Sequence, residues 1–468
     1  MTARHVELRP GTYRDSVRLM QVSQAVRTVP GVRAALVGMA TDLNVELAQG
    51  MGFAAPPGAG PNDLLVAIAA GDDAGLAAAR DRLDAELREP PPVAVADGTV
   101  PPRTVGSAVR RSGAGLVLVS TPGRYAVLDA LDALDAGASV LLFSDNVPVE
   151  AEVRLKDLAA ARGLLVMGPD CGTAVIGGVG LGFANVVRPG PVGLVAASGT
   201  GAQHVMCLLD AAGVGVSHCL GVGGRDLSAA VAGRSTLAAL DALDADPGTE
   251  LILVVSKPPD PAVARTVEEH AATLRTPVRF ALLGTGAPDL TAAVEGVLGA
   301  LGQPVPESWP AWHPAHPPPP RPGALRGLFA GGTLRDEAAL IAAAALGPDP
   351  GRYQLVDFGA DELTRGRPHP MIDGSVRLDR LAAQAADPTC GVVLMDVVLG
   401  YAADPDPAAT LAPAIAAAAS VPVVVSLTGT DGDPQGLHRQ ARALCDAGAA
   451  VFRSNARAAR YAVGLVRS

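Results

Sequence analysis

The feature that most constrains this chain is a pair of apolar runs, residues 164–167 and 192–197, each ending in a turn of glycine and small polar residues. Uninterrupted apolar runs of this length are typical of parallel strands that are buried on both faces. The second turn leads into a segment whose apolar residues recur at helical spacing, at positions 202, 205, 206 and 209. Strand, turn and helix in this order predict a parallel α/β sheet.

The turn after the second strand is the sharper candidate for a binding site. It consists of Ser198, Gly199, Thr200 and Gly201. Backbone N–H groups at the start of a helix lack intrahelical partners and lie at the positive end of the helix dipole. The turn is therefore predicted to bind phosphate or carboxylate. The alternative is a tight strand-to-helix connection that binds nothing.

After the first 190 residues the chain repeats its own pattern. Segments 193–203, 220–227, 251–261 and 277–286 have counterparts, in the same order, at 327–337, 355–363, 391–407 and 422–434. This order predicts two doubly wound domains of similar design. The turn that matches 198–200 consists of Gly331, Gly332 and Thr333. The two helix starts either converge on one anion or are similar turns that point apart.

The remaining boundaries follow from pattern and composition. Residues 1–95 show the order β, α, β, β, α, which indicates a small ferredoxin-like α+β unit. Strands and helices alternate over 96–190, as in a Rossmann-like domain. The two doubly wound domains are predicted at 191–303 and 323–468, and the proline-rich segment 304–322 is predicted to be a linker in the polyproline II conformation.

Charge and cysteine content restrict the functional class. A formal net charge of −10 without a basic cluster argues against nucleic acid and against an anionic membrane surface as partners. The five cysteines show no CxxC spacing, which predicts a reduced protein with no metal site. No apolar run reaches the roughly 18 residues that span a bilayer, and no leader pattern is seen. The expected location is the cytoplasm.

A few side chains in strand-end loops are candidates for chemistry. Lys257, one of only two lysines, directly follows the strand LILVVS. His204 lies early in the predicted anion-site helix, whose dipole lowers imidazole pKa, and His369 lies in the loop RGRPHPMID. Ordinary solvated or capping side chains are the alternative. Cys171 has no histidine near it in sequence and is predicted to be a packing residue.

These motifs resemble a known family. The string LLVMGPDCGT, followed by PGPVGLVAASGTG and GVGGRDL, resembles the α chain of succinyl-CoA synthetase and the NDP-forming acyl-CoA synthetases. The string GLFAGGTLRDEA resembles the carboxy-terminal ligase domain of the synthetase β chain. The fused arrangement, with an extra N-terminal unit and the strings SKPPDP and GRPHPMID, resembles the FdrA family over essentially the whole chain.

The resemblance implies an α/β fold: a Rossmann-like CoA-binding-type domain followed by two flavodoxin-like doubly wound ligase domains, with the small N-terminal unit in front. It implies an enzyme, an acyl-CoA synthetase-like ligase or a carbamoyltransferase subunit. The expected substrate is an acyl or carbamoyl phosphate held between the two helix starts, with Lys257 and Arg225 stabilising charge on the leaving phosphate. An oxamate carbamoyltransferase-type complex with companion subunits, in purine and allantoin breakdown, is the expected setting.

Three departures from the family pattern qualify this expectation. The string GTVPPRTVGSAVRRSG replaces the glycine-rich CoA loop, and TGAPDLT stands where a phosphate-accepting histidine is usual. His204 replaces a glutamate that usually lies in the helix after SGT. We therefore expect no covalently bound cofactor, no tight CoA binding and no phosphohistidine. Arg365, Arg367 and His369 are then predicted to bind an acceptor carboxylate, because a guanidinium grips a carboxylate with two hydrogen bonds.

Two other functions stay open on the sequence alone. The chain could be a non-catalytic scaffold or regulatory subunit that retains the synthetase fold and organises companion proteins. It could also be a true CoA ligase, similar to succinate–CoA ligase. Ligand binding by the isolated chain distinguishes the first alternative from the enzyme hypothesis, and CoA affinity distinguishes the second.

Overall fold

The computed structural model describes residues 3–12, 14, 16–54, 56–88, 101–317, 319–364 and 368–467. The chain forms two compact units, one made of Met1–Pro101 with Asp361–His369 and the other of Pro102–Ala360 with Pro370–Ser468. Among the described residues, no helix combines the length and the apolar character that crossing a bilayer requires.

The N-terminal unit is built around one fully buried strand. Its elements are β1 (Ala3–Arg9), α1 (Ser16–Arg27), β2 (Val32–Met39), α2 (Asp42–Gly50), β3 (Leu64–Ala70) and α3 (Asp73–Leu87). The antiparallel sheet has the order β1-β3-β2. The helix α2, capped by the Thr41 hydroxyl, was not predicted. Leu65 and Ala67 of β3 pack with Ala48 of α2, so this helix covers the sheet face that α1 and α3 leave open.

The Rossmann-like part contributes a short parallel sheet. Its elements are α4 (Val105–Ser112), β4 (Leu116–Val119), α5 (Gly123–Asp135), β5 (Ser139–Leu142), α6 (Val149–Ala160) and β6 (Val166–Met167). The strands lie in the order β4-β5-β6. The helix α4 starts where the family has its glycine-rich loop, and a reciprocal capping box between Thr104 and Ser107 fixes that start.

The first ligase-type domain is a six-stranded sheet with helices on both faces. Its elements are β7 (Thr173–Ile176), β8 (Val179–Gly182), β9 (Pro189–Ala196), α7 (Gly199–Ala211), β10 (Val216–Gly221), α8 (Arg234–Ala245), β11 (Leu251–Ser256), α9 (Pro261–Ala271), β12 (Val278–Leu282) and α10 (Leu290–Ala300). The order is β12-β11-β9-β10-β7-β8. The hairpin β7–β8 lies within the range predicted for the Rossmann-like domain, but it pairs with β10.

The second ligase-type domain has the same design. Its elements are β13 (Ala311–Trp312), β14 (Ala324–Phe329), α11 (Gly332–Leu346), β15 (Tyr353–Asp357), α12 (Asp361–Thr364, in the other compact unit), α13 (Ser375–Ala386), β16 (Cys390–Val398), α14 (Pro407–Ala417), β17 (Val423–Thr428), α15 (Leu437–Asp446), β18 (Ala450–Phe452) and α16 (Asn455–Arg467). The order is β13-β18-β17-β16-β14-β15.

The sheet orders confirm the predicted fold class. The four strands β12-β11-β9-β10 of the first domain correspond to β17-β16-β14-β15 of the second, and all neighbours in both sets are parallel. The two domains also share a single apolar core, in which Leu194 and Met206 of the first domain belong with Phe329 and Leu334 of the second. Burial of this shared core holds the two domains together.

The proline-rich segment packs against its neighbours, whereas the sequence predicts a polyproline II linker. Trp309 is buried, and its indole Nε1 donates a hydrogen bond to Glu295 Oε1 at 2.9 Å. Residues Ala311–Trp312 add an antiparallel edge strand next to β18. Tryptophan burial and strand pairing stabilise a fixed path for this segment.

Candidate functional site

The α7 start has the geometry of an anion site. The Ser198 hydroxyl caps the helix by accepting a hydrogen bond from the Gly201 amide at 3.0 Å. The amides of Gly199 and Thr200 have no acceptor within the described parts of the chain. Both residues are partly exposed, so a ligand can reach these donors from solvent.

The α11 start has the same backbone design with a different set of partners. Its N-cap residue, Gly331, offers no side chain. The Asp396 carboxylate instead accepts hydrogen bonds from the amides of Ala330 at 2.7 Å and Gly331 at 3.0 Å. Asp396 is buried and pairs with buried Arg377 at 2.9 Å. Burial raises the pKa of Asp396 to about 6, and the Arg377 charge opposes this rise.

The two helix starts meet, as the first of the two alternatives above requires. The Ser198 hydroxyl lies 2.5 Å from the Thr333 hydroxyl, and the two form a buried hydrogen bond between the domains. Gly331 lies so close to the Thr200 side chain that a Cβ at position 331 would overlap it. A glycine is therefore needed at this crossing.

Lys257 lies at the same junction. A Cβ built on Gly332 would stand 2.9 Å from Lys257 Nζ and 2.5 Å from Asp357 Oδ2. Burial raises the pKa of Asp357, whereas the Gly359 amide and the charges of Lys257 and Arg335 lower it. Burial likewise raises the pKa of Asp336, opposed by the charges of Arg335 and Lys257. The α11 start is thus flanked by both cations and carboxylates.

Asp357 and Asp336 were not predicted from the sequence as site residues. Asp357 lies at the end of β15, and Asp336 lies in the second turn of α11. A strand-end aspartate is a usable signal, because ligand-binding groups gather at the carboxyl ends of parallel strands. What the sequence could not show is that both carboxylates lie beside a lysine of the other repeat.

His204 is part of the interior. It is fully buried, and Nε2 accepts a hydrogen bond from the Asn455 amide at 3.3 Å, so Nδ1 carries the proton donated to Thr428 Oγ1 at 2.9 Å. Burial lowers its pKa to about 3, and the Arg453 charge adds to this. The ring is neutral, as the sequence predicts, but burial rather than the helix dipole is the main cause. With both nitrogens occupied by the protein, His204 is not available as a catalytic group.

Glu337 occupies the position in α11 that His204 occupies in α7, the sixth residue of the helix. Its carboxylate accepts hydrogen bonds from the Leu290 amide at 2.6 Å and from Asn455 Nδ2 at 2.7 Å. Burial raises its pKa to about 7, against the effect of the Asn455 bond. Asn455 therefore contacts both equivalent residues, one through its backbone and one through its side chain.

Arg225 belongs to a different cluster. Its guanidinium donates to the Val147 carbonyl at 2.8 Å and pairs with Glu152 at 3.0 Å. Buried Lys156 bonds the same Glu152 and also Asp226, at 2.8 Å and 2.7 Å. This network joins the Rossmann-like part to the first ligase-type domain. The structure accordingly engages Arg225 there and not at the paired helix starts, which corrects the role predicted for it.

The other candidate residues divide into two groups. Cys171 is buried, and burial raises the pKa of its thiol to about 12, consistent with the predicted packing role. Arg365 and Arg367 lie outside the described residues, and His369 belongs to the compact unit that contains the N-terminal residues. Acceptor binding by these three residues stays a prediction.

Two domain families and several known proteins are similar to this chain. Residues 1–99 match the AllF heavy metal-associated domain, and residues 328–465 match the CoA-ligase domain. The uncharacterized protein YahF of Escherichia coli K12 is 37% identical over 96% of both chains. The α subunit of ADP-forming succinate–CoA ligase from Aquifex aeolicus is 30% identical over 36% of this chain and 54% of that subunit.

A solved structure is also similar over much of the length. The apo form of the dinucleotide-forming acetyl-coenzyme A synthetase 1 from Ca. Korarchaeum cryptofilum is 18% identical, covering 75% of this chain and 83% of that chain, with a TM-score of 0.29.

The domain that the N-terminal residues match is named for heavy metals, but these residues lack the cysteines that such metals prefer. Residues 1–99 contain no cysteine. Within the described ranges, no group of three or more histidine, cysteine, aspartate or glutamate side chains is placed to hold a metal ion. Soft metals select thiolate ligands, which this unit lacks.

Proposed function

The chain belongs to the succinyl-CoA synthetase-like family, together with YahF, and from this premise we propose that it is a subunit of a ligase-type enzyme that binds an acyl or carbamoyl phosphate where α7 and α11 begin. The observation that carries the proposal is the 2.5 Å contact between the Ser198 and Thr333 hydroxyls, which brings two helix N-termini to one place. The Gly199 and Thr200 amides are available there, and Lys257 lies beside Gly332 at the start of α11.

The chemistry that suits this arrangement is transfer of an acyl or carbamoyl group. The nucleophilic atom of the acceptor forms a bond to the carbonyl carbon, and its proton passes to the departing phosphate. The bond between that carbon and the bridging oxygen breaks, and its electron pair leaves with the phosphate. Amide donors and the Lys257 ammonium stabilise the charge that develops on the departing phosphate.

Several residues favour direct transfer over CoA ligation through a phosphohistidine. No histidine follows β12 in the string TGAPDLT, and His204 is enclosed with both nitrogens bonded. The proposal extends to an acceptor such as oxamate and to companion subunits. CoA is expected to bind weakly. We expect no covalently bound cofactor.

Calorimetric titration of the purified chain with inorganic phosphate, acetyl phosphate and carbamoyl phosphate tests the proposal. We expect binding by the wild type and none by Gly199→Val. A Cβ at Gly199 has room, since Thr173 Oγ1 lies 3.4 Å from it, but a branched side chain covers the amide donors. At about 100 times its dissociation constant a true ligand adds nearly 3 kcal/mol to the free energy of unfolding.

The matched control is Gly296→Val, a helical glycine of α10 with open space around its Cβ position. It should bind phosphate like the wild type. Equal affinity of Gly199→Val and the control would contradict the proposed site. Absence of binding by the wild type, with companion subunits present as well as absent, would favour the scaffold alternative. Micromolar CoA binding would favour the CoA ligase.

A further inference from the structure

We propose that the Thr173 hydroxyl is a third donor of the anion site, so that the site takes the terminal phosphoryl group of its ligand against β7 and α7 and not midway between the two helices. This inference rests on the proposed function and deepens it. It concerns a residue that the helix starts do not identify, since Thr173 lies on β7, which β10 separates from β9 in the sheet.

The first observation is a buried hydroxyl without a partner. Thr173 is 2% exposed, and its Oγ1 has no hydrogen-bond partner within the described parts of the chain. Most buried polar atoms in proteins have a hydrogen-bond partner. A buried hydroxyl without one lowers the stability of the fold unless a ligand or a water molecule bonds to it. This hydroxyl lies 3.4 Å from a Cβ position built on Gly199. It is therefore directed at the residue whose amide is free at the α7 start.

The second observation is the asymmetry of charge between the two helix starts. A Cβ built on Gly332 would meet Asp357 Oδ2 and Lys257 Nζ, whereas a Cβ built on Gly199 meets Thr173 Oγ1 alone within 4 Å, among the described residues. The α11 start already has a carboxylate of the protein next to it, and a like charge repels an incoming anion. The α7 start offers neutral donors, and no described carboxylate lies within 4 Å of the Cβ built on Gly199, so the anion binds there.

The donor set also indicates the shape of the ligand. Two adjacent amides and a hydroxyl from another strand can reach three different oxygens. A phosphoryl group offers three terminal oxygens in a tetrahedral arrangement, whereas a carboxylate offers two in a plane. The site should therefore prefer inorganic phosphate and acyl phosphates to simple carboxylates.

The test compares two exchanges at Thr173 in the full chain. Thr173→Val removes the hydroxyl at nearly constant shape, and Thr173→Ser retains it. We expect Thr173→Val to bind inorganic phosphate about tenfold more weakly or worse, since a hydrogen bond to a charged group is lost. Without ligand, the same variant should melt at or above the wild-type temperature, because no internal hydrogen bond is lost. Thr173→Ser should bind phosphate with the affinity of the wild type. Acetate should bind to neither Thr173→Val nor Thr173→Ser.

The matched control is Thr291→Val, which removes a buried hydroxyl that is bonded to Ser454 at 2.7 Å. It should melt at a lower temperature and bind phosphate with unchanged affinity. Wild-type affinity in Thr173→Val would overturn the inference and leave the proposed function standing. If Thr173→Val does not fold, Thr173→Ala decides in its place against Thr173→Ser. No phosphate binding by the wild type would overturn both.

Discussion

The starts of α7 and α11 occupy equivalent places in two domains with the same strand order, yet they are satisfied in different ways. The α7 start is capped by its own serine, and the amide of Ala197 before it bonds to the Val255 carbonyl. The α11 start has a glycine, and buried Asp396 takes the amides that precede the helix. The topology determines the direction of the helix dipole. A few side chains at the helix start determine whether an anionic ligand can bind there.

The sixth residue of each helix extends this difference into the core. His204 in α7 is held neutral, and Glu337 in α11 has a raised pKa, while both contact Asn455. The same burial therefore acts on a base in one domain and on an acid in the other. Because burial disfavours the charged form of each, the two residues should respond to pH in opposite directions.

The largest effect is expected at His204. Below its ordinary pKa of 6.5 the unfolded chain takes up a proton that the folded chain refuses until about pH 3. The free energy of unfolding should therefore fall, by about 4 kcal/mol over this range, as the pH drops from 6.5 towards 3. In His204→Gln this contribution is absent. Urea unfolding at a series of pH values measures this effect. The free energy of unfolding of the wild type should exceed that of the variant by less as the pH falls. If the two free energies change with pH in parallel, the lowered pKa of His204 is contradicted.

Glu337 should give a smaller effect of opposite sign. Above its ordinary pKa of 4.5 the unfolded chain loses a proton that the folded chain keeps until about pH 7. Its stabilising contribution is complete below pH 4.5 and is lost as the pH rises through 7, a change of about 3 kcal/mol. Glu337→Gln mimics the protonated carboxyl at every pH. It should match the wild type near pH 4.5 and exceed it at pH 8 in the same urea experiment.

Neighbouring charges also affect the difference in the free energy of unfolding between Glu337→Gln and the wild type. The charges of Asp289 and Arg460 act on its carboxyl in opposite directions, and those two residues pair with each other. An equal difference between Glu337→Gln and the wild type at pH 4.5 and pH 8 would mean that the fold does not raise the pKa of Glu337.

The smallest effect concerns the first helix residues themselves. Alanine at 199 replaces a glycine with adequate room for a Cβ, so Gly199→Ala should raise the free energy of unfolding by about 0.5 kcal/mol. Alanine at 332 meets Asp357 and Lys257, and Gly332→Ala should lower it by about 1 kcal/mol, because those flexible side chains must move. Denaturant midpoints measure both. Equal shifts at the two positions would show that the α11 start is as open as the α7 start.

Local signals were sufficient for much of the fold. Apolar runs and glycine turns identify β9, β11, β14 and β16, and the repeated order of segments predicts the matching sheets that the structure confirms. The turn at Ser198 was predicted as a helix start because capping residues act on their own helix. The helix α2 was missed because its reason for forming is the uncovered face of β3, which lies later in the chain.

The site itself depended on contacts that sequence spacing does not reveal. Lys257 was chosen for its place after a strand, but its neighbour Asp357 belongs to the other domain. Arg225 looked equally suitable and is engaged by Glu152, a residue of α6. Thr173 follows Cys171 and Gly172, and nothing in the sequence marks it as a site residue. Its candidacy as a ligand donor rests on the burial of its hydroxyl without a hydrogen-bond partner among the described residues. Such features depend on the tertiary structure.

The two ligase-type domains share one core within one polypeptide, so dilution does not separate the two halves of the site. If the domains were separate polypeptides, the junction of Ser198 with Thr333 would dissociate as the protein concentration fell below their mutual affinity. A short covalent connection instead gives each domain an effective concentration of its partner in the millimolar range. The stoichiometry is then fixed at one to one, and the junction is assembled in every molecule regardless of expression level.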